Sequence, residues 1–141
     1  MSVSIRFDAK ELERSLKKLG SAKAQEILAR SAFAGGEVTA EEIMRRAPDS
    51  GIGRKSPDKS VRGKHYPGKL SKDVIVKQAK ITARGVLVRV VSLPFYTRFV
   101  EFGTSNQAAN PYVRRASRSA RPKANDKFIE GVRNMVQDAF R

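Results

Sequence analysis

Few residues in this chain are suited to chemistry. His65 is the only histidine, and there is no cysteine. A Ser-His or Cys-His nucleophile would have to use His65, and a histidine-bound metal needs more than one such ligand. His65 stands in Lys64-His65-Tyr66-Pro67-Gly68-Lys69, a loop composition, and reads as an exposed loop histidine. Pro48-Asp49 and Pro57-Asp58 resemble the proline–acid pair that opens one carboxylate nuclease motif. Its partner, an acid two residues before a lysine, is absent at Asp73, Glu101, Asp126, Glu130 and Asp138. Glu41-Glu42 reads as a solvated helix face. Gly51-Ile52-Gly53 lacks both the preceding strand and the third glycine of a phosphate-binding loop. These residues argue against an enzyme, and no metal or cofactor is expected.

Glu101 is the acid that stands out. It is the one carboxylate in an aromatic stretch, Phe95-Tyr96-Thr97-Arg98-Phe99-Val100-Glu101-Phe102-Gly103. A carboxylate beside apolar rings must be solvated or find donors. The amides and hydroxyls of Thr104 and Ser105 are the nearest in sequence. A clamp to Arg98 or Arg114 is the other reading, within one subunit or between two. Phe95, Phe99 and Phe102 recur at spacings of four and three, which places them on one helical face as core. Pro94 suits the first turn of that helix, and Gly103 suits a left-handed cap.

The elements that must position this stretch follow from pattern. Val3, Ile5 and Phe7 alternate with Ser4 and Arg6, a half-buried strand. Asp8 caps a helix with Glu11 three residues on, Ala9, Leu12, Leu16 and Leu19 forming its stripe and Gly20 ending it. Ser21 caps a second helix reaching about Arg46. Its face of small residues (Ala24, Ser31, Ala34, Gly35) invites close approach, and Gly35-Gly36 is a place for a kink. Leu70–Ala79 and Val86–Val91 are strands joined as a hairpin over Lys80–Gly85. Tyr112–Ala120 is helical, Pro122 breaks the helix, and a last helix runs from about Ala124 to Phe140. The class is α+β: an antiparallel-rich sheet of about three strands packed by N-terminal and C-terminal helices. With 141 residues the chain has room for one domain and one modest core. No apolar run approaches the roughly 20 residues needed to span a bilayer, and MSVSIRFDAKEL shows no signal-peptide core.

Charge is the second feature. The chain holds 29 bases and 14 acids, a net +15. That exceeds the roughly 2–8 units of a typical small soluble surface and argues for a polyanionic neighbour. Arg45, Arg46, Arg54, Lys55, Lys59, Arg62, Lys64, Lys69 and Lys72 face only Asp49 and Asp58, a net +7 over residues 45–72. Residues 48–69 read as a long, mobile, basic loop that orders on assembly. Arg114, Arg115, Arg118, Arg121 and Lys123 form a second group. The aromatics sit with aliphatics rather than between bases, Tyr66 and Tyr112 excepted, so a stacking platform for single strands is not indicated.

Tyr96, Phe99-Val100-Glu101-Phe102-Gly103-Thr104 and Asn110-Pro111-Tyr112-Val113-Arg114 with Ala116 together resemble the signature of a tailed-bacteriophage family. Its members are minor tail components, also described as tail-completion or head–tail joining proteins. Arg115 stands where that pattern often has a second proline. The resemblance implies a structural virion protein that is monomeric before assembly and forms a ring, hexamer-like, in the tail or neck. It implies contacts with the tail tube on one side and a head-completion or connector protein on the other, with DNA in the channel as a further neighbour. Assembly would take place in the host cytoplasm. The alternative is a basic nucleic-acid-binding protein acting alone.

Overall fold

A computed structural model describes residues 1–7, 17, 20–48, 70–71, 74–82, 85–94 and 96–141. The expected helix from Asp8, most of the basic loop, His65, Tyr66 and Phe95 lie outside the described residues.

Alternation of Val3, Ile5 and Phe7 with polar residues produces strand β1 (Ser2–Phe7), whose apolar side faces inward. β2 (Val74–Thr82) and β3 (Gly85–Ser92) form the hairpin, with β2 running three residues beyond its expected end. The sheet is antiparallel in the order β1-β3-β2. Val86, Val88 and Val90 of the central strand are almost wholly buried. A register shift between Lys77 and Lys80 turns Ala79 toward the core. The other sheet face exposes Ser2, Ser4, Arg6, Lys77, Lys80 and Arg89.

Helix α1 (Ser21–Arg46) keeps the expected bounds. Gly20, at φ +80°, holds the N-cap position and Ser21 is already helical, so the serine does not cap. Gly35 and Gly36 are sites of close packing. A Cβ on Gly35 would lie 2.5 Å from the Phe7 ring and 2.9 Å from the Ala124 carbonyl oxygen. On Gly36 it would lie 2.7 Å from Val88 and 2.9 Å from Val76. Missing side chains thus let α1 sit directly on the sheet and against the C-terminal helix at once. This explains why its buried face, which adds Ala32, Thr39, Ala40 and Ile43, is wider than one stripe.

The short helix α2 (Thr97–Phe102) leads to α3 (Tyr112–Ala139). α3 is one helix, not two. Pro122 lies inside it on the exposed side. The Arg118 carbonyl that loses its intrahelical donor is therefore on the wet face, where water can replace it. The buried side continues unbroken through Ala116, Ala120, Ala124, Phe128, Val132 and Val136. Phe128 stacks on Phe7 with centroids 4.7 Å apart, tying α3 to β1. Burying a phenylalanine contributes about 1.5–3 kcal/mol, so this pair outweighs the local penalty of the proline.

Candidate assembly surface

The stretch around Glu101 is folded as a brace. Pro94 precedes α2, and its carbonyl oxygen accepts from the Thr97 amide at 3.1 Å. Gly103 ends α2 at φ +78°, and a Cβ there would meet Ala109 N at 2.8 Å. Glycine is required on both counts, conformation and space. The chain then doubles back. Thr104 and Gln107 exchange backbone hydrogen bonds, and the Asn110 amide donates to the Val100 carbonyl oxygen at 2.8 Å. This return sets the first turn of α3 against the last turn of α2.

Glu101 is fully buried at that junction. Its Oε2 accepts from the Val113 amide at 2.9 Å, and its Oε1 from the Arg114 amide at 3.1 Å. The Arg114 Nε adds a third bond at 3.2 Å. The donors are thus not Thr104, Ser105 or Arg98. Glu101 satisfies two of the orphan amides that open every helix, from eleven residues before α3 begins. Its carboxylate also lies at the positive end of the α3 dipole. The Arg114 side chain is 59% exposed, so the ion pair itself is screened and contributes little. The backbone bonds are the larger share. Arg114 also lies over the Phe102 ring at 5.1 Å, a cation–π contact.

The aromatics divide differently from expectation. Tyr112 is buried, as is Val113, and Tyr96 packs beside them. The Tyr112 hydroxyl points to the buried pair Ser92–Thr97, whose oxygens lie 3.0 Å apart, without a well-formed bond of its own. Burial pushes its phenol upward, against the pull of those two hydroxyls. Tyr112 therefore cannot stack on a base. Phe99 and Phe102, expected in the core, are 51% and 55% exposed, close to the exposure of Leu93 at 55%. A six-residue helix cannot bury all sides, and its inward positions go to Thr97 and Glu101. Apolar rings are thus displayed on a rigid mount. Thr104 Oγ1 accepts from the Asn106 amide, and Pro111 occupies the N-cap position of α3.

Of the nine bases between residues 45 and 72, the structure describes Arg45 and Arg46. Arg54, Lys55, Lys59, Arg62, Lys64, Lys69 and Lys72 lie outside the described residues. Arg45 and Arg46 both bond Glu42, which also accepts from Ser119 Oγ of α3 at 2.9 Å. Arg46 in turn donates to Ser119 at 3.1 Å. Hydrogen bonds from Arg45, Arg46 and Ser119 hold the Glu42 carboxyl down to about 2. Glu42 is therefore not an idle solvated acid but the joint between the end of α1 and α3. The acid followed at i+3 and i+4 by arginine was the available signal; its partner Ser119, 77 residues away, was not legible. No helix among the described residues is long and apolar enough to cross a membrane.

Residues 10–103 fit the family model HK97-gp10_like, described as "Bacteriophage HK97-gp10, putative tail-component". The matched span includes Glu101 and ends at Gly103. No curated protein and no solved structure matches the chain.

Proposed function

Because the chain belongs to the HK97-gp10-like family of bacteriophage tail components, we propose that it is a tail-completion subunit, forming a ring with its own copies at the tail–head interface. Family membership carries this reading and makes the chain a structural tail protein of the virion. The geometry supports it. The one conspicuous acid of the motif is spent capping a helix, and the brace it makes displays Phe99 and Phe102 half-exposed. Apolar rings on a rigid mount suit docking against a neighbouring protein surface.

In this reading Tyr96, Glu101, Gly103, Thr104, Pro111 and Tyr112 shape the mount, while Phe99, Phe102 and Arg114 meet the neighbour. The tail tube lies on one side and the head-completion or connector protein on the other. Bases of residues 45–72 face DNA in the channel or acidic partner surfaces. The subunit transforms no substrate. The test is assembly of particles without this chain: heads and tails should accumulate unjoined, and added purified protein should restore joining. Normal joining in its absence ends the proposal. Phe99→Ser with Phe102→Ser should fold as the parent does yet fail to restore joining.

A further inference from the structure

β1 is one edge of the sheet, and among the described residues no strand pairs with its outer side. The phase of its hydrogen bonds is fixed by its first residue. Met1 N donates to the Ser92 carbonyl oxygen at 3.2 Å, and Ser92 N donates to the Met1 carbonyl oxygen at 2.8 Å. In an antiparallel ladder such doubly bonded pairs alternate. Val3, Ile5 and Phe7 therefore bond to β3, while Ser2, Ser4 and Arg6 turn their backbone N–H and C=O groups outward.

That free edge forms one wall of a groove of about 600 Å³, with α3 as the other wall. Arg114, Arg118 and Arg121 line it from α3, at positions i, i+4 and i+7 of one helical face. Arg6 lines it from β1, and Ser4 and Ser117 add hydroxyls. No acid is among the lining residues. Arg114 is partly engaged by Glu101, and the other three show no acidic partner among the described residues. Arg6, Arg118 and Arg121 thus line the groove beside Arg114 with no acid among the lining residues, and an anion entering it would gain charge-assisted hydrogen bonds.

We infer that this groove seats an extended acidic segment of a different protein, which adds to β1 as a fourth strand. Its backbone pairs with Ser2, Ser4 and Arg6, and its alternate carboxylates reach the arginines of α3. Three observations select this occupant. Nucleic-acid phosphates would use the arginines but leave the open backbone edge unused. A second copy is a poor fit, because the chain carries +15 and its own edge sequence, residues 1–7, has no acid. The segment at residues 45–72 is itself strongly basic and is repelled. The inference stands on the isolated subunit and does not depend on the ring.

The probe is a fluorescent peptide of about eight alternating glutamate and valine residues, measured by anisotropy against an oligothymidylate control. The peptide should bind the free protein, and Arg118→Glu with Arg121→Glu should weaken it by at least about tenfold. Ser4→Pro removes an outward N–H without touching the β3 ladder, as edge strands tolerate. It should weaken the peptide about tenfold and leave any oligothymidylate binding unchanged. Amide shifts of Ser4 and Arg6 on peptide addition give the same answer in the unmutated protein. The inference falls if the peptide shows no binding by about 1 mM. It falls equally if the oligothymidylate binds more tightly with the same arginine dependence and no response to Ser4→Pro, which would make the groove a phosphate site. Neither result touches head–tail joining, which is scored in particles.

Discussion

Replacing Glu101 by alanine tests the brace directly. The side chain is fully buried, and two of its three hydrogen bonds come from the first-turn amides of α3. Truncating an ordinary capping side chain costs about 0.5–2 kcal/mol. Here the Val113 amide would also be left buried without an acceptor, a penalty of about 1–3 kcal/mol that overlaps the first. The Arg114 contact is half in water and adds less than about 1 kcal/mol. Together these give a loss of about 3 kcal/mol for Glu101→Ala. Glu101→Gln keeps one acceptor oxygen but turns a donor toward the other amide, and should lose about 2 kcal/mol. For a chain of this size 3 kcal/mol lowers Tm by about 10 °C. Urea unfolding followed by circular dichroism reads the free energies, and hydrogen exchange should show Val113 and Arg114 losing protection. The control is Arg114→Ala, which removes only the exposed partner and should lose less than about 1 kcal/mol. The reasoning is refuted if Glu101→Ala lies within about 1 kcal/mol of the parent. It is also refuted if Arg114→Ala costs as much as Glu101→Ala, since the ion pair would then outweigh the cap.

Three further outcomes follow from the packing. Gly35→Ala gains roughly 1 kcal/mol of helix propensity but drives a methyl into the Phe7 ring and the Ala124 carbonyl, so urea unfolding should show a net loss of about 1–2 kcal/mol. Pro122→Ala restores a donor in the middle of an exposed helix face, and thermal unfolding should show a gain of about 2 kcal/mol, with no change in joining. The Glu42 carboxyl is lowered from 4.5 to about 2 by its hydrogen bonds, so the stability it contributes is present above pH 4.5 and lost as pH falls through about 2. Glu42→Gln should therefore unfold more easily than the parent at neutral pH, and the gap should close in acid titrations followed by fluorescence of an extrinsic dye or circular dichroism.

Much of the fold was legible because it depends on local pattern. Period-two alternation at Val3, Ile5 and Phe7 and the β-branched run Val86–Val91 specify strands whatever they pack against. Ser21 to Arg46 specifies a helix by composition alone. Pro122 misled because a proline penalty is local, whereas the buried face of α3 runs through it on the opposite side. Phe99 and Phe102 misled for a related reason. Helical spacing shows that residues share a face but not which face the protein covers, and here the covered face belongs to Thr97 and Glu101.

The sequence by itself determined the element types, the basic excess, the poverty of catalytic groups and the motif that links the chain to phage tail components. Those are properties of residues and of their near neighbours along the chain. Only the tertiary structure decided what Glu101 bonds, which glycines admit a helix onto the sheet, and that Arg6 and the arginines of α3 share one groove. Each of these depends on groups brought together across tens of residues. Their meeting is set by the summed packing of the core, which no local pattern encodes.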